Sequence, residues 1–136
     1  MRIGVTGAGG MLGTALIDLL SKNHEIFATS RTVGQIGSNI HWDCFNLTNI
    51  ELLDKGLENA KPQIVIHCAA IVNVDNCEKD VYLATLLHEK TTEILAMYSE
   101  LNKVRIIYIS TDSVFDGTKK GLYNELDNVN PINVYA

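Results

Sequence analysis

The sequence predicts an α/β fold built around a doubly wound parallel sheet. Short β-branched and apolar runs alternate with segments of helical periodicity along all 136 residues, which is the pattern of strands joined by crossover helices. A glycine-rich turn separates the first such run from the first helical segment. Residues 63–68 form an apolar run without alternation, as expected for a central strand that is covered on both faces.

Composition and charge indicate one globular domain. The chain is 46% hydrophobic and 20% charged, which suits a single packed core. Its net charge of −5, with no basic face, argues against nucleic acid as a partner. No apolar run reaches the length of a membrane span, and the N-terminal residues resemble a strand rather than a signal peptide. The cysteines at 44, 68 and 77 lack metal-ligand spacing, so we expect reduced thiols, no metal site and a cytoplasmic location.

The glycine-rich turn follows a strand predicted over residues 1–5 and precedes a helix predicted over residues 11–21. Its glycines are Gly7, Gly10 and Gly13, spaced by three rather than as Gly-x-Gly-x-x-Gly. The first suits a tight turn, the second leaves room for a pyrophosphate, and the third lets the helix pack closely on the strand. The helix N-terminus adds free N–H groups and a positive dipole end. We therefore predict a dinucleotide site; the alternative is a turn of this composition without a ligand.

The first helix and the second strand follow from local patterns. Four leucines share one face of the helix, and we expect that face to cover the sheet: Leu12, Leu16, Leu19 and Leu20. The second strand, residues 25–30, ends in Ser30-Arg31, where NAD-specific folds usually place an acid that bonds the ribose 2′-hydroxyl. Arginine instead suits a 2′-phosphate, so NADP(H) is favoured and NAD(H) remains possible. The alternative is that Arg31 is only a solvated loop charge.

The middle of the chain supplies a third strand, a helix and the central strand. The third strand is expected over residues 40–43. A helix follows and extends to about residue 59, with Thr48 as N-cap and Glu51 completing a capping box. The central strand ends at Ala69-Ala70, where open α/β sheets bind ligands. These small residues are suited to lie beneath a cofactor, and they also suit tight core packing.

The last third of the chain completes the alternation. A long helix is expected over residues 80–101, with a buried stripe formed by Leu83, Leu87, Ile94, Leu95 and Tyr98. A fifth strand is expected over residues 104–109, and residues 118–130 form a polar loop. Pro131 is placed to begin a short helix. No repeat or interdomain linker interrupts residues 1–136.

Four motifs together resemble the extended short-chain dehydrogenase/reductases and, within that group, the dTDP-4-dehydrorhamnose reductases. They are the glycine turn after Thr6, the Ala69-Ala70 strand end, the Ser-Thr-Asp-Ser-Val-Phe-Asp-Gly segment at 110–117, and the Pro-Ile-Asn-Val-Tyr segment at 131–135. The resemblance implies an NAD(P)-binding Rossmann domain, truncated before the last strands, that forms the N-terminal part of a longer enzyme. It also implies NADPH-dependent reduction of the 4-keto group of a nucleotide-activated deoxysugar in dTDP-rhamnose biosynthesis, and a possible homodimer in the full-length form.

The same resemblance assigns site residues by position. Thr111 and Tyr135, 24 positions apart, match the catalytic pair, with tyrosine as the proton donor and threonine bonding the same carbonyl oxygen. Ten positions match cofactor-binding residues: Gly7, Gly10, Met11, Leu12, Ser30, Arg31, Asn46, Leu47, Ala69 and Ala70. Two positions depart from the family pattern, because Asn46 replaces an acid and His88 replaces an asparagine.

A third departure concerns Tyr135, because the lysine of the family's Tyr-x-x-x-Lys pattern would fall three positions past Ala136. We therefore expect a poorly held tyrosine and a chain that is inactive alone. Two other functions stay open. One is that of an epimerase or dehydratase acting on a nucleotide sugar, although a dehydratase typically has an Asp-Glu pair where this chain has Asp112-Ser113. The other is that of a regulatory subunit that binds NADP without catalysis.

Overall fold

The computed structural model describes residues 1–136 and contains one parallel sheet with helices on both faces. The strands are Arg2–Thr6 (β1), Glu25–Ser30 (β2), Ile40–Cys44 (β3), Ile64–His67 (β4) and Arg105–Tyr108 (β5). The helices are Met11–Leu20 (α1), Ile50–Ala60 (α2), Val74–Lys79 (α3), Val81–Thr85 (α4) and Thr91–Asn102 (α5). A π-helical turn, Leu86–Lys90, joins α4 to α5, and a 3₁₀ turn, Asp112–Val114, follows β5.

The strand order is β3-β2-β1-β4-β5, with every pair parallel, which confirms the predicted doubly wound sheet. The second and third strands, β2 and β3, lie on one side of β1, and the chain then crosses over so that β4 and β5 lie on the other side. Thr6, the last residue of β1, pairs with Thr29 on one side and with His67 on the other. The change of direction therefore lies at the carboxyl ends of β1 and β4, where such sheets bind ligands.

Two apolar cores flank the sheet. One lies beneath α1 and includes Ile3, Val5, Ile17, Ile26, Ala28 and Ile66. The other lies beneath α2 and α5 and includes Leu53, Leu57, Val65, Leu95, Tyr98 and Val104. Tyr98 also donates its hydroxyl hydrogen to the Leu57 carbonyl at 3.0 Å, which joins α5 to α2 through a buried hydrogen bond.

The buried face of α1 differs from the predicted one. Gly13 and Ile17 are buried and Leu16 and Leu20 pack at the edge of the core, but Leu12 and Leu19 are 41% and 62% exposed. The reason is the closeness of Gly13 to the preceding turn, since a Cβ there would overlap the Gly7 carbonyl and Ala8. The helix therefore meets the sheet along the line of Gly13 and Ile17, which turns Leu12 and Leu19 outward.

The start of α2 and the helix preceding α4 also differ from the prediction. The N-cap of α2 is Asn49, whose side chain accepts the Leu52 N–H at 3.2 Å, and not Thr48. Asn46 instead accepts the Thr48 N–H at 3.2 Å, so Thr48 lies in a turn before the helix. The predicted long helix begins at Val81 and is interrupted by the π-helical turn, and α3 was not predicted.

The segment after β5 contains no α-helix, so the helix predicted from Pro131 is absent. Asp116 organises this segment, because its carboxylate accepts hydrogen bonds from Thr118, Tyr123 and Asn130 at 2.8–3.0 Å. The pKa of Asp116 is well below its ordinary value, first because of the bond from Asn130 and then because of those from Thr118 and Tyr123. No helix combines the length and apolar character that crossing a membrane requires.

The loop between β2 and β3 folds back on Trp42. The indole Nε1 donates to the Gln35 carbonyl at 2.8 Å. Gly34 packs so closely on the ring that a Cβ there would lie 2.8 Å from it. These two contacts with Trp42 of β3 hold the loop that follows Arg31 against the sheet.

Candidate functional site

The carboxyl ends of β1, β4 and β5 border a cleft of about 520 Å³. Six of the predicted cofactor positions line it: Gly7, Gly10, Met11, Leu12, Ala69 and Ala70. Thr111 and Tyr135 line the same cleft. The fold thus brings the glycine turn, the end of the central strand and the predicted catalytic pair to one surface.

The glycine turn has the backbone geometry that its sequence predicts. Gly7 has a φ of +65°, and a Cβ there would lie 2.7 Å from the Ala69 backbone nitrogen. Only glycine meets both conditions without displacing the end of β4. The Gly10 N–H donates to the Gly7 carbonyl at 2.9 Å, which closes the turn immediately before α1.

The N-terminus of α1 is open to an anion. Its N-cap, Gly10, makes no side-chain hydrogen bond to the helix, and the first turn contains no acidic residue. Because the first N–H groups of a helix have no intrahelical partner, those of Met11 and Leu12 remain available at the edge of the cleft. A phosphate group fits this position in charge and in hydrogen-bonding capacity.

The remaining cofactor positions predicted from the sequence lie outside the cleft lining, at the ends of β2 and β3. Ser30 lies beside the glycine turn, since a Cβ on Gly9 would be 2.6 Å from its Oγ. Arg31 is exposed and forms no ion pair within the chain. Asn46 is exposed, whereas Leu47 is only 6% exposed and belongs to the core beneath α2. Leu47 therefore presents little surface to a ligand.

The predicted catalytic pair lies on two irregular segments. Thr111 is half-buried at the start of the 3₁₀ turn, where its Oγ1 accepts the Ser113 N–H at 3.2 Å. Tyr135 is also half-buried, and the segment is held in place because the Val134 N–H donates to Glu78 Oε1 at 2.8 Å. Tyr135 therefore directly follows a backbone that is hydrogen-bonded to α3, and the expected poor ordering of its side chain stays a prediction.

Two histidines near the cleft were not assigned a role from the sequence. His88 Nε2 accepts the Ile71 N–H at 2.8 Å, and its ring meets the Tyr135 ring edge-on with centroids 5.7 Å apart. Burial lowers the pKa of His88, while a hydrogen bond to the Tyr135 backbone acts in the opposite direction. The sequence signal was the histidine in place of the family's asparagine, but its two partners are distant in sequence.

The second histidine, His67, ends β4 and is 2% exposed. Its Nδ1 is hydrogen-bonded to Thr6 Oγ1 at 2.6 Å, and its buried Nε2 has no partner. Burial, and to a lesser extent the nearby His88, lower the pKa of His67 to about 4. The ring is therefore neutral at pH 7. No group of three or more His, Cys, Asp or Glu side chains is arranged to hold a metal ion.

Comparison with known proteins agrees with this geometry. The family described as the RmlD substrate binding domain matches residues 1–136. A dTDP-4-dehydrorhamnose reductase of Aggregatibacter actinomycetemcomitans is 32% identical over 99% of this chain and 43% of its own length. A dTDP-4-dehydrorhamnose reductase of Bacillus anthracis, solved in complex with NADP, is 32% identical with a TM-score of 0.82 over 98% of this chain and 44% of its own.

A relative of another kind is also similar. The methionine adenosyltransferase 2 subunit beta of Xenopus laevis is 32% identical over 97% of this chain and 38% of its own length. The chain thus spans less than half of the length of each of these proteins.

Proposed function

The chain belongs to the RmlD substrate binding domain family, and from that premise we propose that it forms the NADP-binding part of a reductase. The proposed reaction is the NADPH-dependent reduction of the 4-keto group of a nucleotide-activated deoxysugar. The observation that carries the proposal is one cleft lined by an uncapped helix N-terminus, by Thr111 and by Tyr135. The relative solved with NADP supports the choice of cofactor.

The proposed cofactor contacts follow the edge of the sheet. The turn from Gly7 to Gly10 and the N–H groups of Met11 and Leu12 would hold the pyrophosphate. Ser30 and Arg31 would bind the 2′-phosphate, with Asn46 near the adenine beside the buried Leu47, and with Ala69 and Ala70 beneath the nicotinamide. When bound, NADPH would supply a hydride to the carbonyl carbon of the substrate.

The catalytic pair would act on the carbonyl oxygen, where negative charge develops during reduction. The phenol of Tyr135 has an O–H donor, so Tyr135 can serve as the general acid that protonates this oxygen. Thr111 Oγ1 accepts the Ser113 N–H and donates its hydroxyl hydrogen to Asp112 Oδ1 at 3.4 Å. To stabilise the same oxygen, the hydroxyl would rotate its hydrogen from this long bond toward the substrate. We infer further that residues 1–136 form one cofactor domain, that a substrate region outside them completes the site, and that the full-length protein can form a homodimer.

Calorimetric titration of this chain with NADPH and with NADH tests the cofactor assignment. We expect saturable binding at one site, and no binding of either dinucleotide would refute it. The reaction is tested in a protein of its relatives' length that carries this chain. With a dTDP-4-keto-6-deoxy sugar, absorbance at the reduced nicotinamide band should fall in a substrate-dependent way, and Tyr135→Phe should abolish the change.

A second candidate is a non-catalytic subunit that binds NADP. The observation that favours it is the similarity to a methionine adenosyltransferase subunit. The two candidates differ in one result. A regulatory subunit would bind NADPH but would not oxidise it with a keto sugar, even when the chain is extended to the length of its relatives.

A further inference from the structure

His88 lies where the helix after β4 leaves its regular geometry. The π-helical turn Leu86–Lys90 interrupts an otherwise α-helical run between α4 and α5. Such turns insert one residue into a helix and occur frequently at functional sites. Of the five residues of this turn, His88 alone lines the cleft.

The first contact of His88 fixes the loop at the end of the central strand. Its Nε2 accepts the Ile71 N–H at 2.8 Å, and the Ile71 carbonyl in turn accepts the Cys77 thiol hydrogen at 3.4 Å. Cys77 is fully buried in α3. Both backbone polar groups of Ile71 are therefore hydrogen-bonded, directly after Ala69 and Ala70, which line the cleft.

The second contact of His88 is with the predicted proton donor. The imidazole and the Tyr135 ring meet at an interplanar angle of 80°, the edge-on arrangement that aromatic pairs favour. Glu78 binds the adjoining Val134 backbone, so the segment is held at two neighbouring points. One side chain thus contacts both the loop that floors the cleft and the residue that would protonate the substrate.

The contact with Ile71 determines the state of the imidazole. An N–H donor at Nε2 requires that this nitrogen carry no proton, so the proton of the neutral ring is on Nδ1. Burial lowers the pKa of His88, which favours the neutral ring that this contact needs.

We propose that His88 is a positioning residue: its Nε2 holds the Ile71 loop and its ring supports Tyr135, so that the two sides of the cleft keep their relative placement. This rests on the proposed function only in the claim that the placement assists NADPH binding. His88 contacts no reacting atom in this scheme and acts through Ile71 and Tyr135.

Two substitutions separate the two contacts. His88→Phe keeps an aromatic ring beside Tyr135 but removes the acceptor for Ile71 and the donor to the Tyr135 backbone, whereas His88→Gln keeps an acceptor near the position of Nε2 but removes the ring. In His88→Phe we expect the Ile71 amide to exchange with solvent about tenfold faster, with the Tyr135 ring resonances little changed. In His88→Gln we expect the opposite pattern. The affinity for NADPH should fall about fivefold in His88→Phe and recover to within about twofold in His88→Gln.

The controls keep the outcomes distinct. His41→Gln alters an exposed histidine on β3 outside the cleft and should change neither Ile71 exchange nor NADPH affinity. Unchanged Ile71 exchange in His88→Phe would overturn the proposal, and so would ¹⁵N shifts of the unmodified chain that place a proton on Nε2 of His88. Faster Ile71 exchange with unaltered NADPH affinity would overturn the claim about the cofactor. Absence of NADPH binding by the unmodified chain would refute the proposed function, and the exchange rates would then decide the role of His88.

Discussion

A buried histidine at the end of the central strand makes the stability of this chain depend on pH. In the folded chain the pKa of His67 is lowered from 6.5 to about 4, first by burial and then by the nearby His88. In the unfolded chain the imidazole has its ordinary pKa. As the pH falls, the unfolded chain therefore takes up this proton first, and the folded state loses stability.

We expect the free energy of unfolding to fall by about 3 kcal/mol as the pH is lowered from 6.5 to about 4, and this contribution to be constant below that range. The lowered pKa of His88 acts in the same direction. Urea unfolding at several pH values measures the effect. His67→Gln should remove most of the pH dependence whatever its effect on absolute stability, whereas His41→Gln should leave it intact. An equal pH dependence in His67→Gln would show that other groups cause it.

The exposed guanidinium of Arg31 leads to a prediction about cofactor choice. Because no carboxylate within the chain engages this side chain, it is free to pair with a 2′-phosphate. We expect NADPH to bind about tenfold more tightly than NADH. The preference is no larger because Arg31 is exposed, and solvent weakens an exposed ion pair. Arg31→Ala should remove most of this preference, because it should lower the affinity for NADPH and leave the affinity for NADH unchanged. Equal affinities in the unmodified chain would contradict the assignment, and Arg105→Ala, on the edge strand β5, serves as the control.

At the level of single elements, the turn between β1 and α1 can be tested without unfolding the domain. Gly10 has a φ of −79° and a ψ of 173°, which valine can adopt, and a Cβ there meets only the Gly7 carbonyl at 3.1 Å. Gly10→Val should therefore keep the melting temperature within a few degrees. It should weaken NADPH binding by about tenfold or more, because its side chain obstructs the phosphate and the helix N–H groups.

The matched control for this variant is Thr14→Val, which places the same side chain on the exposed side of the same helix. Calorimetric titration and thermal unfolding of both variants give the comparison. Unchanged NADPH affinity in Gly10→Val would show that the turn is not the phosphate site.

The elements that the sequence predicted well are those with a local cause. The strands are short β-branched runs between polar segments, and β2 has the bounds predicted for it. The N-cap of α2 was misplaced by one residue because Thr48 and Asn49 are both good caps, and the choice depends on Asn46, whose side chain binds the Thr48 N–H. The outward position of Leu12 was also not predictable, since it follows from the contact between Gly13 and Gly7.

The π-helical turn and the C-terminal segment have no local signal. In the π-helical turn, the side chain of His88 contacts Ile71 and Tyr135. These residues are 17 and 47 positions away in the sequence, so no local pattern indicates the turn. Pro131 favours a helix start by its own geometry. Here the Asn130 N–H donates to the Val114 carbonyl and the Asn130 side chain binds Asp116, and residues 131–136 follow an irregular path with a bend at 133–134. Both outcomes depend on tertiary contacts rather than on periodicity.

For the molecule as a whole, we predict that these 136 residues bind the cofactor but do not work as a reductase. The proposed cofactor positions all lie within these residues, so we expect the chain to bind NADPH by itself. The family's lysine and a substrate region are not among these residues, and loss of an activated acid costs about 10²–10⁴ in rate. Substrate-dependent NADPH oxidation at a rate near that of a full-length relative would contradict this prediction, and its loss on Tyr135→Phe would show that the tyrosine works without the lysine.

The packing of Trp42 gives this chain an internal optical probe. It is the only tryptophan, so its fluorescence arises from one place: the loop that follows Arg31, to which the indole is tied through Gln35 and Gly34. A ligand that reorders this loop alters the polarity around the indole and so shifts its emission. Reduced nicotinamide also absorbs in the range where indoles emit, whereas oxidised nicotinamide does not, so we expect bound NADPH but not NADP⁺ to quench Trp42 by energy transfer. The unlabelled chain can therefore report both occupancy and the oxidation state of its ligand.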